Sequence, residues 1–269
     1  MKVIDTQHEF ATAWLEATRH LVAKPSHDEY SLFLYIEKPL DIGPRSKFIL
    51  EEYEKILQKK DNSLNMVADT IFPSGMYLRN KRDWSLMRNE YLEKYEWIKG
   101  HSSNAWGTYA HRLLHRELLS GEIIDPLGCV IDKINKWVIE LNKPYKASYE
   151  IDFFDESLDV SIYRGTTDRN RPYGGPCLSH LSFKVDADKR LHITALYRSH
   201  YYLEKALGNL FGLSRLLRAM CEQTNLRAGS MTCLSTYGLL DTGASRSGLV
   251  LKEVESFIKL SDEFGRPNP

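Results

Sequence analysis

Two alternating runs joined by a short turn, with a long helical repeat directly behind them, restrict what this chain can fold into more than any other feature. The first run, residues 177–185, places Cys177, Ser179, Leu181, Phe183 and Val185 on one face of a strand. The turn Asp186-Ala187-Asp188-Lys189 leads into a second run, residues 191–197, which delivers Arg198-Ser199 at its exit. A hairpin of this kind sets a thiol at the entry of one strand beside a cation at the exit of the other. Behind it Leu203, Ala206, Leu207, Leu210, Leu213, Leu217 and Met220 recur at helical spacing. Gly208, Asn209 and Gly212 interrupt that repeat. The glycines predict close approach by a neighbouring backbone or a ligand. An asparagine inside a helix competes with the backbone for hydrogen bonds, so Asn209 is expected to be there for a contact.

The rest of the chain reads as alternating helices and strands. Apolar periodicity predicts helices over residues 7–23, 46–59, 65–71, 83–100, 125–141 and 249–262, and strands over 32–36 and 230–240. Asp83 is placed to cap its helix, and residues 149–163 alternate as strand and turn ahead of a basic, glycine-containing loop with Arg164, Arg169 and Arg171. No internal repeat or Pro/Gly/Ser-rich linker divides the chain, so a single domain over residues 1–269 is expected.

Charge and cysteine usage exclude several function classes. The 36 basic and 36 acidic residues cancel, which leaves no global field for nucleic acid or an anionic membrane. Any anionic ligand must be held locally. Four cysteines lie far apart without a C-x-x-C pair, which argues against a zinc site or a disulfide framework and fits a reducing compartment. No charged-then-apolar leader and no long apolar run stands out, and the expectation is a cytoplasmic protein that binds neither membrane nor metal.

The order Pro176-Cys177-Leu178, a strand, Tyr197-Arg198-Ser199-His200, and then Asn209 eleven residues after Arg198 resembles the core of thymidylate synthases and pyrimidine hydroxymethylases. It resembles the archaeal-type variant, in which Leu follows the nucleophilic Cys. Upstream, Tyr109-Ala110-His111-Arg112 resembles the family's Tyr-Gly-x-Arg element, with Ala110 in place of the glycine. The resemblance covers residues 109–241, about half the chain.

It implies an α+β fold, a twisted mixed sheet flanked by helices, assembled as a homodimer packed through the sheet. It also implies one-carbon transfer, methyl or hydroxymethyl, to carbon 5 of a pyrimidine nucleotide. Carbon 5 is a poor nucleophile until something adds at carbon 6, and a thiolate suits that task because it attacks as an anion and leaves again easily. Cys177 is then the nucleophile. Arg198 and Ser199 hold the nucleotide phosphate, the arginine by its planar fork. Asn209 reads uracil, where the family's Asp favours cytosine. Tyr109 and Arg112 are assigned to the cofactor, 5,10-methylenetetrahydrofolate.

Four departures from the family pattern bear on sugar, phosphate and pterin. Tyr201 stands where the family has an Asp that helps bind the pterin. Leu239 and Asp241 replace the His-x-Tyr pair that holds the sugar hydroxyl, leaving Asp241 as a candidate acceptor. Glu156 and Ser157 replace the paired arginines lent by a partner subunit, with Arg164, Arg169 or Arg171 as substitutes. The family's N-terminal Glu has no match, and Asp69 and Glu90 are the residues to test for that role. A protein that keeps the fold and a nucleotide pocket without the chemistry is the alternative.

Overall fold

The hairpin forms, and the helix behind it returns the chain to the same sheet. In the computed structural model the described residues are 1–100, 107–118, 120–143, 145–153, 176–243 and 247–264. The strands are β1 (Lys2–Val3), β2 (Asp28–Ile36), β3 (Arg116–Glu117), β4 (Ile123–Ile124), β5 (Glu150–Asp152), β6 (Leu178–Val185), β7 (Arg190–Tyr197), β8 (His200–Tyr201) and β9 (Arg227–Leu239). The helices are α1 (Phe10–Ala23), α2 (Pro44–Gln58), α3 (Leu64–Asp69), α4 (Ser74–Arg79), α5 (Trp84–Glu93), α6 (Tyr95–Gly100), α7 (Tyr109–Leu114), α8 (Pro126–Ile134), α9 (Leu207–Thr224) and α10 (Leu251–Glu263).

One sheet runs in the order β1-β2-β9-β7-β6-β5, with β8 also on β9. β6 and β7 pair antiparallel, as a short turn requires, whereas β7 and β9 pair parallel because α9 carries the chain across between them. β2 and β9 are antiparallel, so the sheet is mixed and the α+β expectation holds.

Period-2 burial shows how the sheet is covered. Leu32, Leu34 and Ile36 of β2, Leu191, Ile193, Ala195 and Tyr197 of β7, and Met231, Cys233 and Ser235 of β9 are buried. Their neighbours Phe33, Tyr35, Leu196, Thr232 and Leu234 on the opposite face are half-buried or exposed. One sheet face therefore meets the helices, and a contiguous apolar core extends from Ile4 to Ile258. Each large side chain buried there contributes about 1.5–3 kcal/mol by leaving water.

Two expected helices differ in detail. The predicted helix over residues 83–100 breaks at Lys94 into α5 and α6, although Asp83 caps it as expected by accepting from the Leu86 N–H at 2.9 Å. The helix over 125–141 is α-helical only to Ile134 and then widens into a π turn, Asn135–Glu140.

Gly208 and Gly212 both meet the α3 segment, the first at a side chain and the second at a backbone carbonyl. A Cβ on Gly208 would lie 2.5 Å from the Val67 Cβ, and one on Gly212 would lie 2.7 Å from the Ala68 carbonyl oxygen. The missing side chains let α3 cross α9 one residue away from Asn209.

Candidate active site

Cys177 leaves the apolar row that simple alternation assigns it. A β-bulge between Leu178 and His180 shifts the register, so that Leu178, Leu181, Phe183 and Val185 are buried while Cys177, just ahead of β6, is exposed. Bulges re-aim side chains in this way, and the correction turns the thiol out of the core toward the strand exit opposite it. There the Arg198 N–H donates to the Cys177 carbonyl at 2.9 Å. Protein packed around the thiol raises its pKa, and the Arg198 guanidinium acts in the opposite direction.

Arg198 is exposed and Ser199 half-buried, and neither side chain has a hydrogen bond or ion pair among the described residues. The Arg198 main chain is anchored separately, because the Thr236 hydroxyl donates to its carbonyl at 2.8 Å. A guanidinium on a fixed backbone, beside a hydroxyl and without a carboxylate, suits an anion.

Tyr109 opens α7, where the Thr108 hydroxyl caps the helix by accepting from the His111 N–H at 3.2 Å. Its own hydroxyl accepts from the Leu178 N–H at 3.3 Å, which brings it next to the thiol. Burial raises its pKa, the nearby Cys177 adds to the rise, and the bond from Leu178 opposes it. Arg112, one helical turn on, is buried and donates from Nη1 to the Phe153 carbonyl at 2.8 Å. That bond ties α7 to the end of β5.

Asn209 is 4% exposed, and its Nδ2 faces His200 Nε2 at 3.0 Å. His200 Nδ1 in turn meets Ser235 Oγ at 3.0 Å, and its ring stacks on Tyr197 with centroids 4.0 Å apart and 5° between planes. Burial holds the His200 pKa down to about 3. The chain between Arg198 and Asn209, eleven positions apart, runs through β8 and a π turn, Tyr202–Ala206. Trp14 Nε1 and the Tyr53 hydroxyl donate to the Tyr202 and Leu203 carbonyls at 2.7 and 2.8 Å. Asp241 accepts from the N–H groups of Leu203 and Glu204 at 2.8 and 3.1 Å.

The two oxygens of Asp241, the candidate sugar acceptor, are therefore already bonded to the main chain. The residue is fully buried, and burial pushes its pKa up to about 6. Asp69 pairs with Arg215 at 3.1 Å, and Glu90 pairs with Arg79 and Lys94, so neither is directed to Cys177 by these bonds. Arg171, Arg164, Arg169, Glu156 and Ser157 lie outside the described residues.

Two residues at the site escaped the sequence reading. Ser235 is a polar residue in the inward phase of a strand, between Cys233 and Tyr237, and that misplaced polarity was the available signal. Tyr197 is fully buried near Cys177 and Tyr109, and its hydroxyl has no partner among the described residues. It stands in the Tyr197-Arg198-Ser199-His200 run, but nothing local in the sequence marks a role for its hydroxyl.

No family model matches the chain. Over 60 residues it is 37% identical to a protein of Methanococcoides burtonii and 35% identical to one of Methanosarcina barkeri, both named "Putative thymidylate synthase". Each match takes in 22% of this chain and 27% of the relative, so the aligned part spans about a quarter of those proteins. Among solved structures, the thermostable thymidylate synthase A from Bacillus subtilis aligns over 93% of this chain and 84% of its own, with a TM-score of 0.51 and 11% identity. With the strand order and flanking helices described above, that agreement extends over nearly the whole chain, which has the thymidylate synthase-like fold.

Proposed function

We propose that this chain activates carbon 5 of a pyrimidine nucleotide for one-carbon transfer, with Cys177 as the nucleophile that adds at carbon 6. The observation carrying this reading is the backbone bond from Arg198 to Cys177, which holds a thiol and a guanidinium without a side-chain partner among the described residues at adjacent strand ends. The Cys177 Sγ forms a bond to carbon 6, and the electron pair of the 5,6 double bond moves toward the carbonyl at carbon 4, making carbon 5 nucleophilic. Arg198 and Ser199 hold the phosphate, and Asn209 holds the base edge. Tyr109, whose hydroxyl lies beside the thiol, is the group positioned to handle a proton at carbon 5. Thiolate expulsion from carbon 6 restores the ring.

The described residues fit the nucleotide better than they fit a folate. Tyr109 and Arg112 are both buried and turned to protein partners, and Tyr201 replaces the pterin-binding Asp. The proposal therefore stops at carbon 5 activation. Methylenetetrahydrofolate is the first one-carbon donor to test, and Arg171 remains a phosphate candidate on sequence grounds.

A second copy packed on the open sheet face, with Phe33, Tyr35, Leu196 and Leu234, would complete a homodimer. Among the described residues no helix is long and apolar enough to cross a membrane.

The test is intact-protein mass after incubation with 5-fluorouridine or 5-fluorodeoxyuridine monophosphate and methylenetetrahydrofolate. Fluorine cannot leave carbon 5 as a cation, so the adduct persists. An adduct mapping to the Cys177 peptide supports the reading, and a folded, nucleotide-bound protein that never forms one counts against it.

A further inference from the structure

The contact between Asn209 and His200 fixes more than a distance. Asn209 Nδ2 carries only protons, so the His200 Nε2 that it meets at 3.0 Å must be the ring's acceptor nitrogen. The ring proton then sits on Nδ1, where Ser235 Oγ at 3.0 Å accepts it. Stacking on Tyr197 holds the imidazole in plane, and the buried site favours the neutral ring. One Nδ2 proton of Asn209 is used by His200. The other proton and Oδ1, which has no partner among the described residues, remain as a paired donor and acceptor.

The opposite tautomer would give a different site. A proton on Nε2 would require the carboxamide to turn over and present one Oδ1 lone pair to His200, leaving a donor and an acceptor on the free edge in exchanged places. In the order set by the Nδ1–H tautomer, the free donor and acceptor match the O4 and N3–H of uracil. Cytosine offers an amino group and an unprotonated N3 at those positions, so it would meet donor against donor and acceptor against acceptor.

We propose that His200, held in its Nδ1–H tautomer by Ser235, is the positioning residue that sets the Asn209 carboxamide and makes this site select uracil over cytosine. The inference rests on the pyrimidine-nucleotide reading and adds to it the residue that enforces base choice. His200 acts through Asn209 and touches no substrate atom. Neither Arg-Ser nor Asn209 alone supplies the selection, because the side chain of Asn209 has two orientations and only its neighbour distinguishes them.

The experiment reads the tautomer and the selectivity separately. Long-range proton–nitrogen NMR on 15N-histidine-labelled full-length protein reports which His200 nitrogen carries the proton, with the signal assigned by its loss in His200→Phe. Binding of uridine and cytidine monophosphates, measured by calorimetry, reports base choice for the natural protein, Ser235→Ala and His200→Phe. The expected result is a neutral Nδ1–H ring and a uracil preference that falls about tenfold or more in each variant.

An Nε2–H ring in the natural protein overturns the inference. So does an unchanged uracil-to-cytosine ratio in folded Ser235→Ala, with binding intact; if His200→Phe does not fold, Ser235→Ala alone decides. A natural protein with the Nδ1–H ring that binds neither nucleotide instead removes the nucleotide reading, and base selection falls with it.

Discussion

The main-chain N–H of Arg198 donates to the carbonyl of Cys177 at 2.9 Å, so one backbone bond fixes Cys177 against the residue whose guanidinium acts on its thiol. The bulge after Leu178 aims the thiol, and the strand pair sets its neighbour. Arg198→Gln keeps the backbone bond and removes the charge. The Cys177 pKa, already raised by the protein packed around the thiol, then rises further because the opposing guanidinium is gone. The pH profile of iodoacetamide alkylation at Cys177 moves to higher pH in Arg198→Gln, and an unmoved profile contradicts the coupling.

Tyr109 tests the proton step. Tyr109→Phe keeps the aromatic ring against Phe153 and loses the oxygen that accepts from Leu178. Loss of a positioned acid or base costs about a hundredfold or more in rate, while nucleotide affinity is expected to change little. A variant with full turnover removes Tyr109 from the mechanism.

The crossing of α3 over α9 tolerates no side chain at Gly212, where a Cβ would lie 2.7 Å from the Ala68 carbonyl and 3.0 Å from the Ile71 Cβ. Gly212→Ala is expected to destabilise the fold by about 1–3 kcal/mol through overpacking, outweighing its better helix propensity. Urea unfolding measures this directly. An unchanged or raised midpoint contradicts the close crossing.

Two buried groups give stability opposite dependences on pH. Asp241 has a folded pKa of about 6 against an ordinary 3.8, so the folded state holds its proton more tightly. Its contribution is full below 3.8 and is lost as pH rises through about 6. His200 has a folded pKa of about 3 against an ordinary 6.5, so its contribution is full above 6.5 and is lost as pH falls toward about 3. Asp241→Asn is therefore expected to make stability climb more steeply between pH 4 and 6, and His200→Phe to flatten it. Unfolding midpoints across that range check both signs.

Much of this arrangement was legible because it is local. The hairpin, the helix behind it and the Arg198–Asn209 interval follow from alternation, turn residues and helical spacing, and the structure joins Cys177 to Arg198 as that pattern requires. What escaped is long-range or depends on register. One residue of bulge changed the face of Cys177, and a period-2 pattern cannot show that in advance. Asp241 was read as a candidate sugar acceptor and not as an acceptor for Leu203 and Glu204, which lie 38 and 37 residues away. Ser235 and His200 meet only because β8 and β7 both pair with β9.

The most direct test of the central claim is release of tritium from carbon 5. Uridine, deoxyuridine and cytidine monophosphates labelled there would be incubated with the protein, with and without methylenetetrahydrofolate, beside Cys177→Ala. The account predicts release from a uracil nucleotide that is abolished in Cys177→Ala. Label retained throughout by a folded protein that binds the nucleotide would contradict it and leave a nucleotide-binding protein that keeps the fold without the chemistry.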